Sequence, residues 1–470
     1  MLEMLSRGVK NSLAQHRKLI DRGLNLKKVI FKRECHYRSQ HILTTLAVKD
    51  PTSNTQEQRN SLYELVQYIE KNPEERHTLI KDGAIKLLQR LRDRSEDNFI
   101  KENSRLGLAL LGHPPQLPSN GIRILSIDGG GIRGIMVMEL LLRLEKLTGR
   151  KLFELFDMCV GVSTGAILVC ALAAERNMTV QEGITLYKQI GKKLFYEPSA
   201  LEMLSNTSRL MWSHAYYDVD LWEKMLQKHV GYRRIIDTVK LPHCPKICCI
   251  STTVTDRRID AHCFRNYVFP PNIQSIYNGS HTAKLWEVVR ASSAAPAYFG
   301  DFALQGELYQ DGGVLFNNPT AVAIHEARLI WPDEDIQCVV SFGTGRNPNR
   351  SRNSDGRKMI NPELLSESQE TLSSWKTKFL RILDSATDTE ATHVILSDLL
   401  PSENYYRFNP YLEQWISMVD ARPEKIAQLE NDAIMYYRKN EDKFEQVAAN
   451  LTQKRNIFKH VKDTFKYYAR

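Results

Sequence analysis

The 470-residue chain has no run of apolar residues that is long enough to cross a membrane. A spanning helix needs roughly 18 or more consecutive apolar residues, and no stretch approaches that length. Cysteine is also sparse, and several of the eight cysteines fall in apolar segments typical of buried strands or helices. The sequence therefore predicts only peripheral contact with a membrane, and a reduced intracellular compartment in place of a framework of disulfides.

The spacing of a structural zinc site is missing as well. Three cysteines and a histidine do occur close together, at His243, Cys244, Cys248 and Cys249. Their spacing is not Cys-x-x-Cys, and the apolar run that holds the last two is typical of a buried strand. We therefore expect neither a metal ion nor any other cofactor.

Positive charge is abundant and unevenly distributed. The formal net charge is +9, and residues 1–50 hold 11 Lys or Arg against 4 Asp or Glu, a local balance of +7. The excess favours an acidic partner, and anionic lipid is the better candidate because no nucleic-acid-binding motif accompanies the charge. Residues 1–33 fit a helix lying on anionic lipid, and they fit a solvated or core-packed helix equally well.

Three regions follow from the positions of helical patterns and breaks. Residues 1–118 are predicted to be helical, with one unit that resembles an armadillo repeat and offers a surface for protein contact. The proline-rich segment 113–121 marks the clearest boundary. Residues 119–345 form the predicted α/β core, and residues 346–470 comprise a polar, basic loop followed by helices that pack on that core.

The core begins with a strand, turn, helix, strand, turn and helix in succession. Residues 122–127 and 158–162 are short apolar strands, and residues 134–145 and 166–174 show the spacing of helices. This is a βαβ unit of a parallel sheet, with both turns at the carboxyl ends of their strands. Open α/β sheets place their chemistry at that edge.

The second turn is Gly161-Val-Ser163-Thr-Gly165. Gly-x-Ser-x-Gly between a strand and a helix is the nucleophile elbow, in which the glycines allow a tight turn and the serine hydroxyl sits at the start of a helix. The helix dipole favours negative charge there. An ordinary turn that happens to hold a serine is the alternative.

The first turn contains successive glycines and an arginine, at Gly129, Gly130, Gly131 and Arg133. With Gly134 it matches the dinucleotide-binding pattern G-x-G-x-x-G, which also requires an acidic residue at the end of the second strand. Ser163 stands there instead, so the turn is better interpreted as an oxyanion hole built from backbone N–H groups. Arg133 adds positive charge, or serves as a surface ion-pair residue.

A serine nucleophile needs a base, and Asp311 is the best candidate. It stands at a strand-to-turn boundary in Asp311-Gly312-Gly313, although such a sequence can also be a simple turn. His325 and His393 follow it, but both lie in helical patterns without the loop context of a triad histidine. Asp311 would then contact the serine directly, with its pKa raised above the usual value of about 3.9 by partial burial.

Together these motifs resemble the patatin-like phospholipases. The resemblance rests on the ordered residues 128–134, 161–165 and 311–313, with supporting stretches at 291–299, 316–319 and 340–345. It implies a three-layer α/β/α fold with a mostly parallel central sheet, a helical amino-terminal extension and a helical carboxyl-terminal tail.

The resemblance also implies a catalytic pair and a cellular setting. Ser163 and Asp311 take the places of the family's Ser–Asp dyad, and Gly129 to Gly131 take that of its oxyanion hole; the implied reaction is metal-free hydrolysis of phospholipid acyl esters. Gly161, Gly165, Gly312 and Gly313 are supporting residues. Mitochondrial, peroxisomal or endoplasmic reticulum membranes are implied, although the chain ends in Tyr468-Ala-Arg470 and not in a peroxisomal Ser-Lys-Leu.

We therefore expect a phospholipase that releases a fatty acid and a lysophospholipid through an acyl-enzyme at a membrane surface. Activity on lysophospholipids, triacylglycerols or acyl acceptors at the same site is the main alternative. A nucleotide-binding protein and a non-catalytic lipid-binding scaffold are further alternatives. The aromatic segment 196–220 suggests a lid or core packing, and the basic loop 346–358 suggests a headgroup contact or a solvated loop.

Overall fold

A computed structural model of the chain describes residues 43, 56–174, 179–196, 217–296, 298–346, 389–414, 416–457, 459 and 461. It divides the chain into two compact units, Met1–His113 and Pro114–Arg470. The amphipathic segment 1–33 lies outside the described residues. So do most of the aromatic segment 196–220 and nearly all of the basic loop 346–358.

The described part of the first unit is helical. Its elements are α1 (Gln56–Lys71), a 3-10 turn (Pro73–Glu75), α2 (Arg76–Lys81), α3 (Ala84–Arg94) and α4 (Asn98–Leu110). Helices α1 and α3 both pack against α4 and bury leucines from each helix. Asp97 caps α4 by accepting a hydrogen bond from the N–H of Phe99 at 2.9 Å. The resemblance to an armadillo repeat stays a prediction.

The described residues of the second unit form a nine-stranded, mostly parallel sheet with helices around it. Its strands are β1 (Ile122–Ile127), β2 (Met158–Val162), β3 (Lys246–Thr253), β4 (Asp260–Arg265), β5 (Asn278–Ser280), β6 (Phe302–Leu304), β7 (Glu307–Asp311), β8 (Ile336–Phe342) and β9 (Tyr405–Phe408). The main order is β5-β4-β3-β2-β1-β8-β9. Strands β1, β2, β3, β8 and β9 run parallel to one another, and β4 pairs antiparallel with β3. The predicted βαβ unit is confirmed.

Helices cover both faces of this sheet, as the predicted three-layer fold requires. One face carries α5 (Gly134–Thr148), α6 (Leu152–Leu155), α7 (Thr164–Ala174), α8 (Val180–Gly191), α9 (Val219–His229), α10 (Leu285–Ser292), α14 (Pro423–Lys439) and α15 (Glu441–Thr452). The other carries α11 (Gly313–Phe316), α12 (Thr320–Ile330) and α13 (Thr389–Leu399). Alternate residues of β1 enter the two cores, with Leu125 on the first face and Ile124 on the second.

The predicted carboxyl-terminal helical region contains two successive helices from Pro423 onward. Helix α14 ends at Lys439, and α15 begins at Glu441 after Asn440. Asparagine competes with the helical backbone for hydrogen bonds and favours helix ends, which accounts for the break. Among the described residues, no helix combines the length and the apolar character needed to traverse a bilayer.

Strand β7 is the element that brings the site together. Strand β4 occupies one edge of β3, so β2 and β7 share the other edge in succession. Strand β2 pairs with β3 as far as Val162, opposite Ile250. Strand β7 approaches antiparallel from the opposite direction and places Asp311 opposite Ser251. The ends of β2 and β7 therefore meet.

Candidate active site

Ser163 lies in a sharp turn between β2 and α7. Its φ is 51°, a left-handed conformation that residues with a side chain rarely adopt. A Cβ on Gly161 would collide with the backbone of Gly165, and a Cβ on Gly165 would collide with the carbonyl of Ile127. Only glycine fits at both positions, and the resulting turn has the backbone geometry of a nucleophile elbow.

A side chain from α10 holds the backbone of this turn. The N–H of Ser163 donates a hydrogen bond to Ser292 Oγ at 2.9 Å, and that hydroxyl donates to the carbonyl of Ile250 at 2.5 Å. The elbow is thereby tied to both α10 and β3. The sequence offers no signal for this role of Ser292, because its two partners are 129 and 42 residues away along the chain.

Asp311 is in direct contact with Ser163. The Oγ of Ser163 donates to Asp311 Oδ2 at 2.6 Å, and the N–H of Gly313 donates to Asp311 Oδ1 at 2.7 Å. A Cβ on Gly312 would collide with the carbonyl of Ile250, so the chain can turn here only because the residue after Asp311 is glycine. The structure thus brings together the serine and the aspartate singled out from the sequence, which are 148 residues apart.

The surroundings of Asp311 raise its basicity. Burial raises the pKa of this carboxyl from 3.8 to about 6, and the hydrogen bonds from Ser163 and Gly313 oppose the rise only in part. A carboxylate with a pKa near 6 is ionised at neutral pH and is more basic than an exposed aspartate. It can therefore accept the proton of a bound hydroxyl.

The two candidate histidines lie elsewhere. His325 on α12 packs edge-on against Tyr277, with 5.5 Å between ring centres. His393 on α13 has its Nδ1 3.2 Å from the hydroxyl of Tyr405. In the part of the chain that the structure describes, the Asp311 carboxylate accepts hydrogen bonds from Ser163 and Gly313 alone.

The glycine turn, residues Gly129–Gly131, lies beside the elbow. A Cβ placed on Gly129 would be 3.1 Å from the Cβ of Ser163. Thr344 Oγ1 donates to the carbonyl of Gly129 at 2.7 Å. The hydroxyls of Tyr187 and Thr164 donate to the carbonyl of Gly131 at 2.7 and 2.9 Å. These hydrogen bonds to the carbonyl oxygens of Gly129 and Gly131 hold the peptide planes of the turn in place.

The middle carbonyl of the turn is held by Arg133. The backbone N–H of Arg133 reaches the carbonyl of Gly130 at 3.2 Å, and its Nε reaches the same oxygen at 3.4 Å. Arg133 is buried and lines the same cleft as Ser163. Its observed contact is therefore with the turn itself, while its predicted supporting role in the reaction stays a prediction.

The amides of the turn are not equivalent. A trans peptide points its N–H away from its C=O, so the tethered carbonyls also fix the directions of the N–H groups of Gly130 and Gly131. Neither of these two N–H groups has a hydrogen-bond partner among the residues described. The N–H of Gly129 differs, because it donates to the carbonyl of Asn317 at 3.3 Å. Of the three predicted amides, two are therefore without a hydrogen-bond partner in the part of the chain that the structure describes.

Thr164 offers a third amide that sequence reasoning missed. It directly follows Ser163 and is the first residue of α7, and the first N–H groups of a helix have no partner within the helix. In nucleophile elbows this position contributes to the oxyanion hole. The signal was present in the Gly-x-Ser-x-Gly motif itself.

The cleft that holds Ser163 and Asp311 is largely apolar. Its aliphatic and aromatic lining includes Ile167, Ile190, Leu194, Phe195, Trp222, Tyr298, Phe299, Val314 and Met418. Such a lining favours a substrate with a long apolar part, while Ser163, Asp311, the glycine turn and a few further side chains such as Arg133 and Asn317 supply the polar groups.

The cysteine-rich stretch has no metal-binding geometry in the structure. Cys248 and Cys249 are adjacent on β3 and therefore point into the two opposite cores. The Sγ of Cys249 lies 3.5 Å from that of Cys170 on α7. Within the described ranges, no group of three or more His, Cys, Asp or Glu side chains is placed to hold a metal ion.

Residues 125–324 match the family model described as patatin-like phospholipase. This part of the chain is a patatin-like phospholipase domain. The chain is 39% identical over 404 residues to calcium-independent phospholipase A2-gamma of Mus musculus, a match that covers 86% of this chain and 49% of that protein. It is 30% identical over 441 residues to phospholipase A I of Arabidopsis thaliana, with coverage of 81% and 32%.

The chain spans about half the length, or less, of these curated relatives. Among solved structures, human GIVD cytosolic phospholipase A2 is similar at 11% identity, with a TM-score of 0.36 and coverage of 85% of this chain and 65% of that one. A similarity that weak supports no inference. Strand β9 and helices α13 to α15 lie beyond the matched patatin-like domain but complete the same sheet and its core.

Proposed function

We propose that the chain is a phospholipase that hydrolyses acyl esters of membrane glycerophospholipids, with Ser163 as nucleophile and Asp311 as base. The observation that carries the proposal is the 2.6 Å hydrogen bond from the Ser163 hydroxyl to the buried Asp311 carboxylate. The strained elbow, the two available glycine amides and the apolar cleft support the same chemistry. The names of the curated relatives point to a calcium-independent phospholipase A2 reaction.

In the first half of the proposed reaction, Ser163 Oγ attacks the ester carbonyl carbon while Asp311 takes the hydroxyl proton. The N–H groups of Gly130 and Gly131, with that of Thr164, bind the oxyanion of the tetrahedral intermediate. The intermediate collapses to an acyl-enzyme when the C–O bond to the glycerol oxygen breaks. That oxygen leaves with the proton from Asp311, as the lysophospholipid.

In the second half, water attacks the acyl-enzyme and gives its proton to Asp311. The same amides bind the second oxyanion. Collapse breaks the bond to Ser163 Oγ, which recovers its proton from Asp311, and the fatty acid leaves. One carboxylate thus moves one proton in each half-reaction, and no third residue is required.

The proposed site of action is a membrane surface. The net charge of +9 favours adsorption to anionic lipid, and the apolar cleft suits an acyl chain drawn from that surface. Mitochondrial, peroxisomal or endoplasmic reticulum membranes are the predicted compartments. Hydrolysis of lysophospholipids or triacylglycerols, or acyl transfer, is the alternative on the same residues.

The test is release of fatty acid from phospholipid vesicles in excess chelator. We expect turnover by the wild type and loss of nearly all of it in Ser163→Ala and Asp311→Asn. Ser402→Ala and Asp260→Asn, at positions where the side chains are exposed, are the matched controls and should keep the wild-type rate. An inert wild type, or full activity in Ser163→Ala, would move the site to a binding role, and analysis of the products separates the alternative substrates.

A further inference from the structure

Asp128 and Arg407 form a buried ion pair at the carboxyl end of β1. Arg407 Nη2 donates to Asp128 Oδ2 at 2.6 Å, and Nη1 donates to Oδ1 at 2.9 Å. This is the bidentate geometry in which a guanidinium binds a carboxylate most strongly. The two side chains are only 1% and 2% exposed, and the residues are 279 positions apart.

The arginine reaches this carboxylate across an intervening strand. Arg407 lies in β9, and β8 separates β9 from β1. The strand registers align Ser126, Ser341 and Arg407 across β1, β8 and β9, and the guanidinium also donates to Ser341 Oγ at 2.9 Å. Gly343 provides the room, because a Cβ there would come within 2.8 Å of Nη2.

The main consequence of this ion pair is that it holds Asp128 in place. A buried ion pair adds little net stability, because the cost of removing two charges from water offsets their attraction. Asp128 directly precedes the glycine turn, and its N–H donates to the carbonyl of Phe342 at 3.0 Å. With both its side chain and its N–H bound, Asp128 anchors the entrance to the turn.

We propose that Arg407 is a positioning residue for the oxyanion hole, acting through Asp128 on the amides of Gly130 and Gly131. The inference rests on the function proposed above and extends it to a strand outside the matched residues 125–324. Loss of the guanidinium frees the start of the turn, so its amides no longer meet the oxyanion at hydrogen-bond distance. Substrate binding in the apolar cleft does not depend on this contact.

A matched pair at the other end of β1 provides the control. Arg123 binds Asp157 in the same bidentate geometry, with Nε 3.0 Å from Oδ2 and Nη2 2.9 Å from Oδ1, and both side chains are buried. Arg407→Lys and Arg123→Lys therefore remove equivalent geometry from the catalytic and the non-catalytic end of one strand. The double variant Asp128→Asn/Arg407→Met removes both charges, which avoids an unpaired buried carboxylate if a single variant folds poorly.

The experiment compares kcat and KM for a soluble acyl ester. We expect kcat of Arg407→Lys and of the double variant to fall by about 10- to 100-fold, the range expected from misplaced catalytic groups, with KM within about twofold. A trifluoromethyl ketone, whose carbonyl becomes an oxyanion when Ser163 adds to it, should lose affinity by the same factor as kcat/KM. Arg123→Lys should keep kcat within about threefold of the wild-type value, although its melting temperature should fall about as much as that of Arg407→Lys.

Two results overturn the inference. One is a kcat within threefold of wild type in both the Arg407→Lys variant and the double variant. The other is a loss that Arg123→Lys reproduces, or that falls on KM alone, since either would mark a general effect of destabilisation or of binding. A wild type without esterase activity contradicts the proposed function instead, and labelling of Ser163 with a fluorophosphonate distinguishes that case.

Discussion

Two buried aspartates lie at strand ends on the same edge of the sheet, and their partners differ. Burial raises the pKa of both carboxyls to about 6, although Arg407 opposes the rise at Asp128. Asp128 is bound by a guanidinium on both oxygens. Asp311 is bound by a hydroxyl and a backbone amide, which are neutral donors.

The difference separates an anchoring role from a chemical one. A carboxylate paired with a cation cannot take up a proton without breaking its ion pair, whereas one with neutral donors can gain and lose a proton without that cost. We infer that Asp128 fixes the glycine turn and that Asp311 exchanges the proton of Ser163. Substitutions at Asp128 and at Asp311 should therefore differ in the size of their effect on activity and in the sign of their effect on stability.

The largest expected difference is in activity. Asp311→Asn should lower kcat by at least about a thousandfold, because an amide cannot accept the Ser163 proton. Asp128→Asn should lower it by about 10- to 100-fold, since the turn is displaced while the base remains. Steady-state hydrolysis of a chromogenic ester measures both, and equal losses in the two variants would erase the proposed distinction.

The next difference is in stability, with opposite signs. The pKa of Asp311 rises from 3.8 in the unfolded chain to about 6 in the fold, so the stability that the neutral form provides is full below pH 3.8 and is lost as pH rises through 6. Asp311→Asn should therefore raise the free energy of unfolding at pH 7.5, by up to about 3 kcal/mol, and by less at pH 4.5.

Asp128→Asn should instead lower the free energy of unfolding at pH 7.5, by up to about 3 kcal/mol, because its amide no longer balances the charge of the buried Arg407 guanidinium, which keeps Glu390 as a more distant carboxylate neighbour at 3.7 Å. Urea unfolding at the two pH values measures both variants. A loss of stability in Asp311→Asn at pH 7.5 that matches the loss in Asp128→Asn would contradict the different roles of the two carboxylates.

A smaller effect is expected from the support of the first glycine carbonyl. Thr344→Val removes the hydroxyl that donates to Gly129 and should lower kcat by about tenfold. Thr238→Val is the matched control, since Thr238 is a buried threonine whose hydroxyl donates to the carbonyl of Ile235. Equal kcat values for the two variants in the chromogenic assay would contradict a role for Thr344 in supporting the oxyanion hole.

The smallest effect is expected at the far end of the turn. Tyr187→Phe removes one of two hydroxyls on the carbonyl of Gly131, and Thr164 still holds that oxygen. We expect kcat to fall by roughly two- to fivefold. Tyr406→Phe, which removes a similar hydroxyl bond to the carbonyl of Glu403, should leave kcat unchanged in the same assay.

Local patterns in the sequence were sufficient to predict much of the fold and the candidate pair. The short apolar run at residues 122–127 and the glycines around Ser163 are short-range signals, and each predicts its strand or turn without reference to the rest of the chain. Asp311 was found in the same way, at a strand end followed by two glycines. The patatin-like resemblance added the family's Ser–Asp dyad, which explains why no triad histidine is needed.

Apart from the Thr164 amide, whose signal is local, the features that sequence reasoning missed depend on long-range contacts. Nothing in residues 307–311 indicates that β7 continues the edge of β3 where β2 stops, because that follows from the register of three strands. The hydrogen bond from the Gly129 N–H to the Asn317 carbonyl and the ion pair of Asp128 with Arg407 likewise form only in the assembled sheet. No spacing or periodicity encodes them.

The most direct test of the central claim is the rate of Ser163 acylation as a function of pH. The burst of p-nitrophenol from a p-nitrophenyl ester measures it in single turnovers between pH 5 and 8. We predict that the wild-type rate rises with pH to a plateau with an inflection near pH 6, and that Asp311→Asn is about a thousandfold slower with no such inflection. The same inflection in Asp311→Asn, or a wild-type rate independent of pH across this range, would contradict Asp311 as the base.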